Sequence, residues 1–134
     1  NKELLTVMMC DVDNFKQIND KFGHDTGDYI IKELGREFID LIRKTDVVGR
    51  WGGEEFLFLL PQTSEQQAFI LAEKLRKNIA TTTFTHQQHT LQLTVSIGIY
   101  QFERGDTIDQ AISLADNYLY QAKKQGRNIT IRGS

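Results

Sequence analysis

The chain has 134 residues, the size of one domain with room for a core. Apolar residues make up 40%, charged residues 25%, and the formal net charge is -2, which argues against a disordered chain and a general nucleic-acid binder. A single cysteine, Cys10, excludes an internal disulfide and fits a reducing compartment; no apolar run reaches the length of a membrane span.

Taken in order, Leu4 to Cys10 is a continuous apolar run and predicts a central strand covered on both faces. Residues 11–28, DVDNFKQINDKFGHDTGD, predict a polar loop with one helical turn around Phe15 to Ile18. Ile30, Ile31, Leu34, Phe38, Leu41 and Ile42 recur at helical spacing and predict a helix from about Thr26 to Arg43. Asp46 to Trp51 and Glu54 to Leu60 predict two strands joined as a hairpin at Gly52-Gly53, with Pro61 closing the second. Ser64 opens a helix with a cap built from Ser, Glu and Gln. Residues 81–89 predict a polar connection in which His86 and His89 carry no role. Residues 91–100 alternate, with Leu91, Leu93, Val95, Ile97 and Ile99 on one face of a strand. A last helix carries Ile108, Ala111, Ile112, Ala115, Leu119 and Ala122, stops at Gly126, and precedes a short strand at 128–132.

The order β-α-β-β-α-β-α-β predicts an α+β fold, one domain over residues 1–134, whose first six elements match the ferredoxin-like split βαβ pattern. A right-handed crossover makes the first two strands parallel and the third antiparallel to the first. The end of the first strand and the Gly52-Gly53 turn then share one sheet edge. Asp11, Asp13, Glu54 and Glu55 would crowd there and need a cation. With oxygen ligands and no paired cysteines or histidines, that cation would be Mg²⁺ or Mn²⁺, and a nucleoside triphosphate its natural partner. The plainer alternative is that Asp13 caps the helical turn and the glutamates are solvated hairpin residues.

GGEEF at 52–56 resembles the signature of the GGDEF family, the diguanylate cyclases. DVDNFKQINDKFGHDTGD is similar to that family's first-strand motif, and LYQAKKQGRN at 119–128 to its last-helix motif. The resemblance implies a nucleotide-cyclase, polymerase-palm-like mixed sheet of about five strands flanked by helices. It implies condensation of two GTP into cyclic di-GMP with release of two pyrophosphates, across two facing domains. It assigns Asp11, the Val12 carbonyl and Glu54 as ligands of two Mg²⁺ or Mn²⁺ ions, with Glu55 beside them and Glu54 helping to deprotonate the attacking 3′-hydroxyl. Backbone N–H groups of Asn14, Phe15 and Lys16 would hold phosphates, and the Lys16 side chain would offset transition-state charge. Asn19 and Asp28 would read guanine, with His24 in the same pocket. Lys123 and Arg127 would reach the outer phosphates.

Arg43 and Asp46 form an RxxD resembling the family's inhibitory product site. Without the resemblance, each of these residues has a plain reading: Asp28 as an early-helix acid, Asn19 as a turn residue, Lys123 and Arg127 as cations favoured by a helix C-terminus. The family's LTxLxNR-like segment before the first strand has no counterpart here. The expectation is a cytoplasmic domain that continues upstream into a sensory or membrane module and turns over poorly alone. The alternative function is a non-catalytic receptor for cyclic di-GMP or GTP.

Overall fold

The computed structural model describes residues 4–133. Its elements are β1 (Leu5–Val12), α1 (Phe15–Phe22), α2 (His24–Leu41), β2 (Val47–Arg50), β3 (Glu55–Pro61), α3 (Glu65–Thr81), β4 (Phe84–His86), β5 (His89–Leu91), β6 (Val95–Gln101), α4 (Ile108–Lys124) and β7 (Thr130–Arg132). Five strands form one sheet in the order β2-β3-β1-β6-β7; β4 and β5 form a separate hairpin. β1 pairs antiparallel with β3 and β6, β2 with β3, and β7 joins β6 in parallel. The expected mixed five-strand sheet is therefore present.

The period-two alternation of strands explains the continuous apolar run of β1. Met8, Cys10 and Val12 face one core with Phe56, Phe58, Leu60, Val95, Ile97 and Ile99, covered by α2 and α3. Val7 and Met9 face a second core with Leu57, Ala111, Ala115 and Leu119 of α4. By the same alternation Asp11 and Glu55 lie on the α4 side. α4 sits tightly on the sheet: a Cβ at Gly98 would overlap the backbone of Ala115 and Leu119.

The cap expected at Ser64 is present, and α4 carries a second one. Ser64 and Gln67 form a capping box on α3, and Thr107 and Gln110 form one on α4. Three local expectations need correction. α1 runs two turns rather than one, because Phe15, Ile18 and Phe22 give it an inward face. The polar connection holds the β4–β5 hairpin, whose buried Phe84 and Leu91 are cross-strand partners. The strand expected over 91–100 is divided, with 92–94 outside both β5 and β6. Among the described residues no helix is long and apolar enough to cross a membrane.

Candidate functional site

The end of β1 organises the site. Asp11 pairs in register with Glu55 on one side and Ser96 on the other. The Val12 N–H donates to the Glu54 carbonyl at 3.2 Å, which fixes Glu54 beside the strand end. Of the acids expected to converge, Glu54 and Glu55 share this strand end with Asp11 and lie near enough to act on its carboxyl. Burial pushes the Asp11 carboxyl up to about 7, with Glu54 and Glu55 adding to the rise and Lys123 opposing it. Burial also raises Glu55, reinforced by Asp116 of α4 and by Glu54.

Asp13 does something different from either expectation. It neither joins that cluster as a fourth free acid nor caps α1; the N-cap is Asn14, in the left-handed region and without a side-chain cap bond. Asp13 is 2% exposed. It accepts from Thr94 Oγ1 (2.6 Å), Ser96 Oγ (2.7 Å), the Asn128 N–H (2.9 Å) and Lys123 Nζ (2.9 Å). Burial alone would raise its pKa, but the hydrogen bonds from Thr94, Lys123 and Ser96 outweigh burial and hold it below the usual carboxylate range. Asp13 thus ties β1, β6 and the end of α4 together.

Lys123, in the last turn of α4, points at the sheet edge. Its Nζ lies 3.3 Å from Asp11 Oδ1 and 3.3 Å from the Val12 carbonyl as well as on Asp13. The contact with Asp11 is an ion pair not aligned as a hydrogen bond, so Asp11 Oδ1 is buried with no hydrogen-bond donor. Arg127 lies beyond the end of α4, exposed and at φ 67°, so helical spacing does not set its position relative to Lys123.

Among the described residues no three His, Cys, Asp or Glu side chains converge as a complete metal cage. A magnesium-type ion does not require one: it takes one or two carboxylates and completes its shell with water and phosphate oxygens. An undersatisfied buried Asp11 oxygen, the Val12 carbonyl and the adjacent Glu54 fit such an ion.

α1 starts at Phe15 behind its N-cap Asn14, so its first-turn N–H groups, including those of Phe15 and Lys16, lack intrahelical acceptors by helix geometry. Exposed Asn14 starts this turn, and the exposed Lys16 side chain pairs with Asp20 at 3.4 Å. Asn19 lies against Gly27, where a Cβ would overlap its Oδ1; that oxygen is buried without a hydrogen bond. Asn19 thus lies beside the turn of α2 that carries Asp28, with His24 exposed at the start of α2. Asp28 lines a cleft of about 570 Å³ with Tyr29, Lys32, Arg50, His86 and Gln87.

The glycine pair differs from a simple hairpin turn. Neither glycine lies in the left-handed region. A Cβ at Gly52 would come within 2.8 Å of the Glu55 carboxylate, whereas Gly53 faces open space. Arg50 holds this connection by donating to the Gly52 and Gly53 carbonyls.

Arg43 and Asp46 lie near the other end of β3. Arg43 Nη2 donates to Asp46 Oδ1 (2.8 Å), the Pro61 carbonyl (2.7 Å) and Thr63 Oγ1 (2.6 Å). Pro61 and Glu55 stand at opposite ends of this strand, about 20 Å apart.

Sequence reasoning missed Thr94, Ser96, Asn128, Arg50 and His86. Ser96, a fully buried polar residue inside an apolar strand, was the available signal for the Asp13 network. His86 stacks on Tyr29 at 4.7 Å and shares a 3.1 Å hydrogen bond with Thr26 Oγ1, supporting the turn of α2 that carries Asp28.

This combination defines an α+β domain with an acidic, phosphate-compatible edge. Residues 1–129 match the family description "Diguanylate cyclase, GGDEF domain", and the chain belongs to the GGDEF family. It is 40% identical over 131 residues to the probable diguanylate cyclase DgcF of Escherichia coli K12, covering 94% of this chain and 42% of that protein. Its fold matches diguanylate cyclase SiaD from Pseudomonas aeruginosa, solved with its activator SiaC, at TM-score 0.92 and 39% identity, over 97% of this chain and 50% of that one. It also matches the GGDEF domain of DgcB from Caulobacter crescentus, solved with c-di-GMP, at TM-score 0.93 and 26% identity, over 97% and 78%. The chain spans less than half the length of the curated relative DgcF.

Proposed function

We propose that this chain is the catalytic unit of a diguanylate cyclase. It would join two GTP molecules into cyclic di-GMP and release two pyrophosphates. The observation that carries this reading is the buried, undersatisfied Asp11 oxygen beside Glu54 at the strand end of a GGDEF-family chain.

In this reading Asp11, the Val12 carbonyl and Glu54 hold two Mg²⁺ or Mn²⁺ ions, with Glu55 alongside. When bound, the ions supply charge neutralisation for the triphosphate and activation of the 3′-oxygen. The α1 N-terminus, through N–H groups of Asn14, Phe15 and Lys16, receives phosphate oxygens. Asn19 and Asp28 read the guanine edge, because a carboxylate accepts from the N1 and N2 hydrogens. His24 would line the same pocket in this reading. Glu54 assists removal of the 3′-hydroxyl proton, and the Lys16 ammonium offsets charge as the 3′-oxygen bonds to the α-phosphorus and the bond to the β-phosphate breaks. Lys123 and Arg127 serve the outer phosphates. A second GGDEF domain presents the other GTP, and the same displacement repeats to close the ring.

Arg43 and Asp46 supply the product-inhibition site. The Asp46 side chain is 3% exposed and both its oxygens accept from Arg43, whose side chain is 53% exposed. Product would therefore meet the open face of Arg43, with Asp46 holding the guanidinium in place.

Incubating the chain, and a longer version with its natural upstream residues, with GTP and Mg²⁺ tests the reading. Chromatography should find cyclic di-GMP and pyrophosphate in a one-to-two ratio, lost on Glu54→Gln. Cyclic di-GMP binding that depends on Arg43, without product formation by the longer version, would replace the cyclase by a receptor.

A further inference from the structure

We propose that Lys123 is an internal counter-cation, holding the metal ligands while no divalent ion is bound and moving to the triphosphate when metal and nucleotide enter. This rests on the metal-site reading above and adds an order of events to it.

The geometry is specific. The Lys123 ammonium contacts Asp11 Oδ1 at 3.3 Å, the Val12 carbonyl at 3.3 Å and Asp13 Oδ1 at 2.9 Å. The first two are the oxygens assigned to the metal. A magnesium-sized ion would approach them to about 2.1 Å. A divalent cation on those oxygens would stand within a few ångströms of the ammonium, and repulsion between the two cations favours departure of one when the other binds.

The two aspartates respond differently to that departure. Asp13 retains Thr94, Ser96 and the Asn128 N–H when Lys123 goes. Asp11 retains none: among the described residues its only ion pair is Lys123, and its Oδ1 has no hydrogen-bond donor. Withdrawal of the lysine alone would leave a part-buried carboxylate, with its Oδ1 shut away from solvent, uncompensated, which is costly. Withdrawal coupled to arrival of another cation is not. The site thus favours exchange over vacancy. Lys123 is suited to move: it sits in the last turn of α4, its side chain is 21% exposed, and an ammonium on a four-carbon stem reorients without backbone change. Two simpler roles compete. A purely structural lysine would stay on Asp13 throughout. A purely phosphate-binding lysine would not influence metal binding in the absence of nucleotide.

Two measurements separate these. In the wild-type chain, acetylation of Lys123 by a dilute amine reagent is followed by mass spectrometry. The exchange predicts slow labelling without metal, several-fold faster labelling with Mn²⁺ alone, and renewed protection with Mn²⁺ plus a non-hydrolysable GTP analogue. In Lys123→Met, Mn²⁺ alone should bind about tenfold more tightly by electron paramagnetic resonance, because the competent state no longer requires lysine release. The GTP analogue should bind more weakly. Asp11→Asn should abolish Mn²⁺ binding in both backgrounds. If Mn²⁺ binds through Asp11 but Lys123 labelling stays constant and Lys123→Met binds no tighter, the exchange is wrong while the metal site stands. If Mn²⁺ fails to bind every form even with the analogue, the metal-site reading falls and the exchange with it. Should Lys123→Met not fold, the wild-type labelling decides alone.

Discussion

Asp11 and Asp13 leave the same strand end two residues apart and enter opposite surroundings. Asp13 is enclosed by four donors from β6, the segment before it and the α4 terminus, and its pKa is lowered. Asp11 is less enclosed, its side chain 15% exposed; burial raises its pKa to about 7, with two glutamates adding to the rise and one misaligned ammonium opposing it. Identical side chains have become a structural bolt and, in the proposed function, a metal ligand, because one set of neighbours is complete and the other is not. An undersatisfied buried oxygen, rather than acidity as such, distinguishes the position proposed to bind metal.

That contrast can be broken most severely at Asp13. Asp13→Ala leaves Lys123, Ser96, Thr94 and the Asn128 N–H without their shared acceptor. It should cost about 3–5 kcal/mol of folding stability, measured by urea unfolding; a loss below about 1 kcal/mol would show that the network is dispensable. Next comes Asp11→Asn, which should lower cyclic di-GMP formation by about 10²–10³-fold while leaving the metal-free fold intact. A large loss of stability instead would make Asp11 a second bolt.

Thr94→Val removes one charged hydrogen bond from Asp13 and should cost about 1.5–3 kcal/mol, less than loss of the acceptor itself. The smallest effect concerns pH. The folded Asp11 pKa of about 7 lies above its ordinary 3.8, so the folded state holds this proton more tightly than the unfolded one. The stability it contributes is complete below 3.8 and is lost as pH rises through about 7. Asp11→Asn, measured without metal, should therefore gain melting temperature relative to wild type as pH rises from about 5 to about 8. A constant difference across that range would sink this account.

The legible parts of the fold were those with long periodic patterns. α3, α4 and the core strands declare themselves through apolar spacing, α3 also through its Ser64 cap, and the meeting of Asp11 with Glu54 and Glu55 follows from topology. The β4–β5 hairpin was hidden because it rests on two apolar residues, Phe84 and Leu91, and on rings borrowed from other elements: His89 against Phe22 and His86 against Tyr29. Asp13 was misread because its partners are remote; Thr94, Ser96 and Asn128 become its neighbours only once β6 lies beside β1 and the chain returns from α4. No local window contains that information. The orphaned oxygen of Asp11 was equally invisible, since it is defined by what fails to surround it.

Gly98 gives the site its calibration. Because β6 has no side chain there, the backbone of α4 at Ala115 and Leu119 rests almost directly on the strand. Lys123 follows one turn after Leu119, so this contact works as a fulcrum with a very short arm. A single methyl group at the fulcrum would lift the helix and carry the ammonium away from Asp11 and Asp13. The alignment of the charged groups is thus set from beneath the helix, by an absent side chain that never touches them.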